Sequence, residues 1–203
     1  MALILASSSP RRQELLRAAA LEFTVRTADL PEVPEPGESP RKFAERMARE
    51  KALNVFQRGA NPGDCVLGAD TVVIMDEILL GKPTDDEDAA RMLRLLSGRS
   101  HLVTTGVCLV KAGDRTQKKV RESEFSGGWV DVRSETTQVW MEKLSKEEIK
   151  AYVATGEPTD KAGAYAIQGQ ASRWISRIQG CYFNVVGLPV PVVYRMLREA
   201  GCE

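Results

Sequence analysis

Short apolar runs alternate along this chain with segments that carry helix-start signals, and that alternation commits it to an α/β fold with a mixed sheet flanked by helices. The first pair sets the pattern. Ala2-Leu3-Ile4-Leu5-Ala6 is short and apolar and reads as a buried strand. Ser9-Pro10 then opens a helix, with a hydroxyl at the N-cap and a proline at the first helical position, where its missing N–H costs nothing. The helix dipole favours anionic side chains at that end, yet the first turn carries Arg11 and Arg12. Backbone N–H groups, the hydroxyls of Ser7, Ser8 and Ser9 and two guanidiniums converge on one spot, which suits phosphate. A solvated basic turn is the plain alternative; the position directly after a buried strand favours the anion site.

The alternation continues. Phe23-Thr24-Val25 is a candidate strand, residues 31–40 read as a loop rich in Pro, Glu and Gly, and a helix is expected from Pro40 to Gln57. After a turn at Asn61-Pro62-Gly63, Cys65 to Met75 is a long strand, and Asp76-Glu77 turns it into a hairpin with Ile78-Leu79-Leu80. Thr84-Asp85-Asp86-Glu87 reads as a capping box for a helix that stops at Ser97-Gly98. His101 to Val110 and Thr136 to Trp140 read as strands, joined by a polar connection or hairpin excursion over 111–128. Ser145-Lys146-Glu147-Glu148 is a second capping box, for a helix ending at Thr155-Gly156. Trp174 to Ile178 is a short strand, Asn184 to Pro189 reads as a strand turning into the last helix, and that helix runs from Pro191 to Ala200. No linker divides the sequence, so residues 1–203 are expected to form one domain, undivided or as two lobes around a central cleft.

Composition mainly excludes. Lys plus Arg and Asp plus Glu are both 28, so no net charge draws the chain to nucleic acid or a membrane surface, and anion binding must come from local placement. No apolar run reaches membrane-spanning length and no signal peptide precedes the first strand, so a cytoplasmic protein is expected. Cys65, Cys108, Cys181 and Cys202 are scattered without a C-x-x-C pair, which predicts reduced thiols with neither disulfide nor zinc. His101 is the sole histidine. That rules against a Ser-His-Asp triad or a His-rich metal site, and leaves carboxylates to hold any metal. There is no G-x-x-x-x-G-K-[ST] loop.

Two residues sit where their chemistry is costly. On the 40–57 helix, Phe43, Ala44, Met47, Ala48, Ala52 and Val55 form an apolar face, and Lys51 falls in its middle. A lysine there must snorkel, pair, or line a polar cavity and face an anion. Asp70 interrupts the apolar run Cys65–Ile74. It either ends the strand in a solvated turn, or is a buried carboxylate needing a cation, a metal or donors, and so a candidate metal ligand or general base. Thr71 shares the site if Asp70 faces it. Lys82 lies between Gly81 and Pro83, in restricted extended backbone that suits presenting an amine. Asp160 to Gly169 is rich in small residues, and its Gln168 amide could read a base edge. Two arginines, two lysines, carboxylates and an amide suit metal-assisted attack of water on a polyphosphate.

The ordered set Leu5-Ala6-Ser7-Ser8-Ser9-Pro10-Arg11-Arg12, Ala48-Arg49-Glu50-Lys51-Ala52, Gly68-Ala69-Asp70-Thr71, Gly81-Lys82-Pro83, Leu96-Ser97-Gly98, Asp160-Lys161-Ala162-Gly163 and Val186-Gly187-Leu188-Pro189 resembles the Maf family of nucleotide pyrophosphatases along nearly the whole chain. The resemblance implies a fold similar to the inosine triphosphate pyrophosphatases. It also implies hydrolysis of nucleoside triphosphates to monophosphate and pyrophosphate with a divalent cation, Mg²⁺ or Mn²⁺, and a homodimer. Family members are thought to clear unwanted nucleotides, and many are described as septum-formation inhibitors.

By motif, Asp70 matches the proton acceptor that activates water. Ser8, Arg11, Arg12, Lys51 and Lys82 match phosphate-site positions, and Glu32, placed by its spacing to Ser39-Pro40, joins Asp70 as metal-ligand candidate. The dTTP/UTP branch has arginine, threonine and glutamine where this chain has Arg11, Thr71 and Gln168; the 7-methyl-GTP branch has tryptophan, glutamine and glutamate there. The resemblance therefore implies a dTTP/UTP pyrophosphatase. A 7-methyl-GTP pyrophosphatase and a non-catalytic nucleotide-binding regulator of cell division are the alternatives. Two stretches depart from the family pattern: residues 111–135 look longer than usual, and Gln170-Ala171-Ser172-Arg173-Trp174 replaces a more glycine-rich pattern.

Overall fold

The computed structural model describes residues 2–61, 63–112 and 128–202. The turn expected at 61–63 and most of the connection expected over 111–128 therefore involve residues outside the described ones. The strands are β1 (Leu3–Leu5), β2 (Thr24–Val25), β3 (Cys65–Met75), β4 (Ile78–Leu80), β5 (Ser100–Ala112), β6 (Gly128–Met141) and β7 (Ile175–Gln179). The helices are α1 (Pro10–Ala18), α2 (Pro40–Gln57), α3 (Asp86–Leu96), α4 (Lys146–Val153), α5 (Tyr182–Val186) and α6 (Val190–Ala200), with three short 3-10 turns between α4 and β7. The seven strands hydrogen-bond in the order β2-β1-β3-β5-β6-β7, with β4 on β3. β1 runs parallel to β2 and β3, whereas β4 on β3 and β7 on β6 are antiparallel. The sheet is mixed, and the chain is α/β. Among the described residues no helix is long and apolar enough to cross a membrane.

The chain divides into two compact units. The first comprises Met1–Asp70, Thr105–Ser134 and Gly187–Glu203, the second Thr71–Thr104 and Glu135–Val186. In the first, Ile4 of β1, Ala6 just after it, Val66 of β3, Cys108 and Val110 of β5 and Ala48, Ala52 and Val55 of α2 form one core. α2 begins at Ser39, whose hydroxyl accepts the Lys42 N–H, with Pro40 in the first turn. It lies very close to the strands. A Cβ on Gly68 would stand 2.1 Å from the Ala48 carbonyl oxygen, and one on Gly106 2.3 Å from that of Ala44. The glycines are required by this approach, as are the small alanines opposite them.

In the second unit α3 and α4 pack Met92, Leu93, Leu96, Ile149 and Tyr152 onto Val73, Val103 and Val139. The β3–β4 hairpin pairs Val73 with Leu80 and Met75 with Ile78, and its two turn residues, Asp76 and Glu77, have φ of 48° and 67°. That is a type I′ turn.

Several local readings change. The cap of α3 is Asp85 rather than Thr84: its carboxylate accepts the Asp88 N–H at 2.7 Å. Ser9 occupies the N-cap of α1 but makes no side-chain cap bond. β6 starts at Gly128 rather than near Thr136. Residues 182–186 form a helical turn rather than a strand, because the buried Asn184 amide donates to the Val103 carbonyl and to Thr137 Oγ1, both at 2.9 Å. The cysteines correct a firmer expectation. Cys65 and Cys202 form a disulfide with Cα atoms 6.6 Å apart, and only Cys108 and Cys181 are free thiols. Their 137-residue separation carried no sequence signal; α6 brings the end of the chain to the start of β3.

Candidate active site

The apolar face of α2 carries Lys51 inward, and the close seat of α2 on β3 sets it beside Asp70. The ammonium donates to Asp70 Oδ1 and to Glu32 Oε1, each at 2.6 Å. Lys51 and Asp70 are 8% and 6% exposed, so the lysine neither snorkels nor is solvated; it pairs. The alternative of a solvated turn at Asp70 falls with it. Glu32 reaches in from the loop before α2, and its side chain keeps 40% exposure.

That loop is held by an arginine on the other side of α2. Arg46 grips both Glu38 oxygens, at 2.7 and 2.8 Å, and donates to the Val33 carbonyl at 3.0 Å. Its Nη1 donates to Glu50 at 3.1 Å and to Met47 Sδ at 3.7 Å. The bidentate fork is the geometry guanidinium and carboxylate prefer. Arg46 thus pins the backbone beside Glu32.

Arg12, on the first turn of α1, is also held. Its Nε donates to the Gly187 carbonyl at 2.8 Å and its Nη1 to Ser7 Oγ at 3.1 Å. Burial lowers its pKa, and the charges of Asp70 and Glu32 oppose that shift, so Arg12 belongs electrostatically to the same cluster. Arg11 is half-buried beside it. Ser7, one of the three hydroxyls expected at the anion site, is buried and also accepts the Ser9 N–H, whereas Ser8 is exposed. The Val186–Pro189 motif, which read as structural, supplies Arg12 with its acceptor; a backbone carbonyl leaves no trace in a residue pattern.

Asp70 titrates above its ordinary value. Burial raises it most, Lys51 and Arg12 pull it back, and Glu32 adds to the rise. A buried carboxyl with a raised pKa, kept ionisable by adjacent cations, is a better proton acceptor than an ordinary aspartate. Among the described residues no three His, Cys, Asp or Glu side chains gather into a metal cage. Asp70 and Glu32 nevertheless touch one nitrogen, so their oxygens lie no farther apart than two hydrogen bonds end to end. Mg²⁺ is commonly held by one or two carboxylates plus substrate phosphates, and this pair fits that donor set.

The family model described as "Maf-like protein" matches residues 2–200. The chain belongs to the Maf family. Among its relatives, proteins named dTTP/UTP pyrophosphatase are 52% identical in Koribacter versatilis, over 99% of this chain and 95% of theirs. Those of Syntrophomonas wolfei and Geobacter sulfurreducens are each 48% identical, over 97% and 98% of this chain and 96% of their own. Among solved structures, the Staphylococcus aureus Ham1 protein aligns over 98% of this chain and 99% of its own at 11% identity and a TM-score of 0.45.

The Maf motifs divide between the two units. Ser8, Arg11, Arg12, Glu32, Lys51 and Asp70 belong to the first, and of these Arg12, Glu32, Lys51 and Asp70 form the cluster. Thr71, Lys82 and Gln168 belong to the second, where Lys82 and Gln168 are exposed and Thr71 is half-buried. Lys161 of the Asp160–Gly163 motif is occupied locally, donating to the Glu157 carbonyl at 2.6 Å and to Asp160 at 2.5 Å.

Proposed function

We propose that this Maf-family chain hydrolyses dTTP and UTP to the monophosphate and pyrophosphate. The observation that carries the proposal is the Glu32–Lys51–Asp70 cluster with Arg12 coupled to it, in a chain whose relatives at about half identity bear that name. Water attacks the α-phosphorus and forms a new P–O bond, the bond to the bridging oxygen breaks, and pyrophosphate leaves. The proton from water goes to Asp70, whose raised pKa matches that task. Lys51 keeps Asp70 ionised before the step and stabilises its charge. Arg11, Arg12, Lys82 and Ser8 are assigned to the phosphates, because guanidinium, ammonium and hydroxyl groups bind the oxygens on which negative charge accumulates. Asp70 and Glu32 would hold the divalent ion, which would neutralise phosphate charge and orient the triphosphate. Arg11, Thr71 and Gln168 are assigned to choice of a pyrimidine base.

The test is pyrophosphate release from dTTP, UTP, CTP, GTP and 7-methyl-GTP, each with Mg²⁺, Mn²⁺ or EDTA. The expected result is metal-dependent release, fastest with dTTP and UTP and abolished by EDTA. Release chiefly from 7-methyl-GTP would overturn the base assignment and keep the chemistry. Binding without release from any nucleotide would replace catalysis by regulation.

A further inference from the structure

The backbone on both sides of Gln168 is tied to one pair of side chains that no motif singles out. Tyr152, buried on α4, packs edge-on against Trp174 with ring centroids 5.3 Å apart. Its hydroxyl donates to Glu157 Oε1 at 2.8 Å and accepts the Ala166 N–H at 3.3 Å, two residues before Gln168. The two oxygens of Glu157 accept the Gln170 N–H at 3.1 and 3.2 Å, two residues after it. Between these anchors the Gly169 N–H closes a turn onto the Ala166 carbonyl at 3.0 Å, with Ile167 and Gln168 at its centre. The Gln168 side chain is exposed at that turn.

Gly169 explains its own identity. Its backbone is extended, φ −98° and ψ −153°, a conformation open to side-chain-bearing residues, so conformational freedom is not what selects glycine here. A Cβ at this position would stand 2.1 Å from Glu157 Oε1 and 2.5 Å from Cδ. The glycine makes room for the carboxylate. Four residues thus converge on holding one turn: Tyr152, Glu157, Gly169 and, through its ring, Trp174.

We propose that Glu157 and Tyr152 are positioning residues for base selection, fixing the 166–170 turn so that the Gln168 amide meets the base edge in a single orientation. An amide discriminates between a carbonyl and an amino group on a base only if its donor and acceptor ends are fixed; a mobile amide turns to suit either. This inference rests on the reading of Gln168 as a base-selecting residue. Its competitor is that Glu157 merely caps the 3-10 turn at Gln170–Trp174 and serves the fold.

The experiment measures kcat and KM for UTP and CTP, which share a sugar and differ at one exocyclic group, for the native protein and for Q168A, E157A, Y152F, G169A and the pairs E157A/Q168A and E157A/G169A. Y152F keeps the ring packing and removes only the hydroxyl, so it carries the test if E157A folds poorly. The expected result is a UTP-over-CTP ratio of kcat/KM lowered roughly three- to tenfold in E157A and Y152F, the effect of one hydrogen bond, with kcat for UTP near native. E157A should not lower the ratio further once Q168A is present. G169A should lower the ratio alone but not in E157A, where the carboxylate it displaces is gone. A native ratio in E157A and Y152F alongside a lowered one in Q168A would overturn the positioning role and leave Gln168 its own. A native ratio in Q168A would overturn the assignment of Gln168, and the positioning role with it. Loss of kcat for UTP and CTP alike, with the ratio unchanged, would assign Glu157 to the fold.

Discussion

Replacing Lys51 by methionine keeps an unbranched side chain of similar length and removes its charge. The ammonium stands 2.6 Å from Asp70 Oδ1, and the two side chains are only 10% and 9% exposed, so bulk-water screening does not apply. Opposite unit charges about 4 Å apart interact by roughly 4 kcal/mol at an effective dielectric of about 20. At about 1.4 kcal/mol per unit this is of the same order as the shift of about 1–3 that an adjacent opposite charge typically gives a carboxyl. Burial already holds Asp70 above its ordinary value, with Lys51 and Arg12 opposing it. Without Lys51 the acid limb of kcat/KM for dTTP therefore moves up by about 1–3 pH units.

Stability carries the same sign. A carboxyl whose folded pKa lies above its unfolded one contributes fully below the unfolded value, and that contribution is lost as pH rises through the folded value. K51M is thus least destabilised in acid, and at higher pH, where Asp70 must ionise without its partner, it loses about 3–5 kcal/mol. A pH–rate profile with urea denaturation at matched pH measures both. If the acid limb of K51M coincides with the native one, Lys51 does not set the ionisation of Asp70 and the reasoning fails.

Replacing Asp70 by asparagine should lower kcat by about 10²- to 10⁴-fold, the usual range for a general base, and remove the acid limb while nucleotide binding persists; near-native turnover would exclude Asp70 as the base. G68A places a methyl 2.1 Å from the Ala48 carbonyl, and urea denaturation should show a loss of at least about 1–3 kcal/mol as α2 is pushed off β3. Thiol titration of the denatured chain should count two groups without reductant, Cys108 and Cys181, and four after reduction; C202S should lower stability by about 2–5 kcal/mol.

Much of the site was legible because its residues break local rules. A lysine on an apolar helix face and an aspartate in an apolar strand each require a partner, and they turned out to be each other's. The Ser39-Pro40 start and the 76–77 hairpin were legible for the same reason: their chemistry is local. What escaped was non-local. β6 begins eight residues before its apolar part because its polar residues find partners across the first unit. Arg133 pairs with Asp131 and Glu199, and Ser134 bonds Glu45 and Arg41. A strand whose polar residues are satisfied by distant side chains shows no alternation to read. Arg46 and the Gly187 carbonyl escaped likewise, since what matters in each is a partner remote in sequence or a backbone atom.

The bridge between Cys65 and Cys202 encloses all of the chain between them and leaves residues 1–64 and Glu203 outside the covalent ring. Tension applied outside the ring is therefore not passed to the segments between the cysteines, which are shielded from extension until the bond is reduced. Proteolysis is constrained in the same way: a single cut anywhere inside the ring changes the connectivity but releases nothing. The nicked chain stays one molecule in denaturant, and only a thiol separates its pieces.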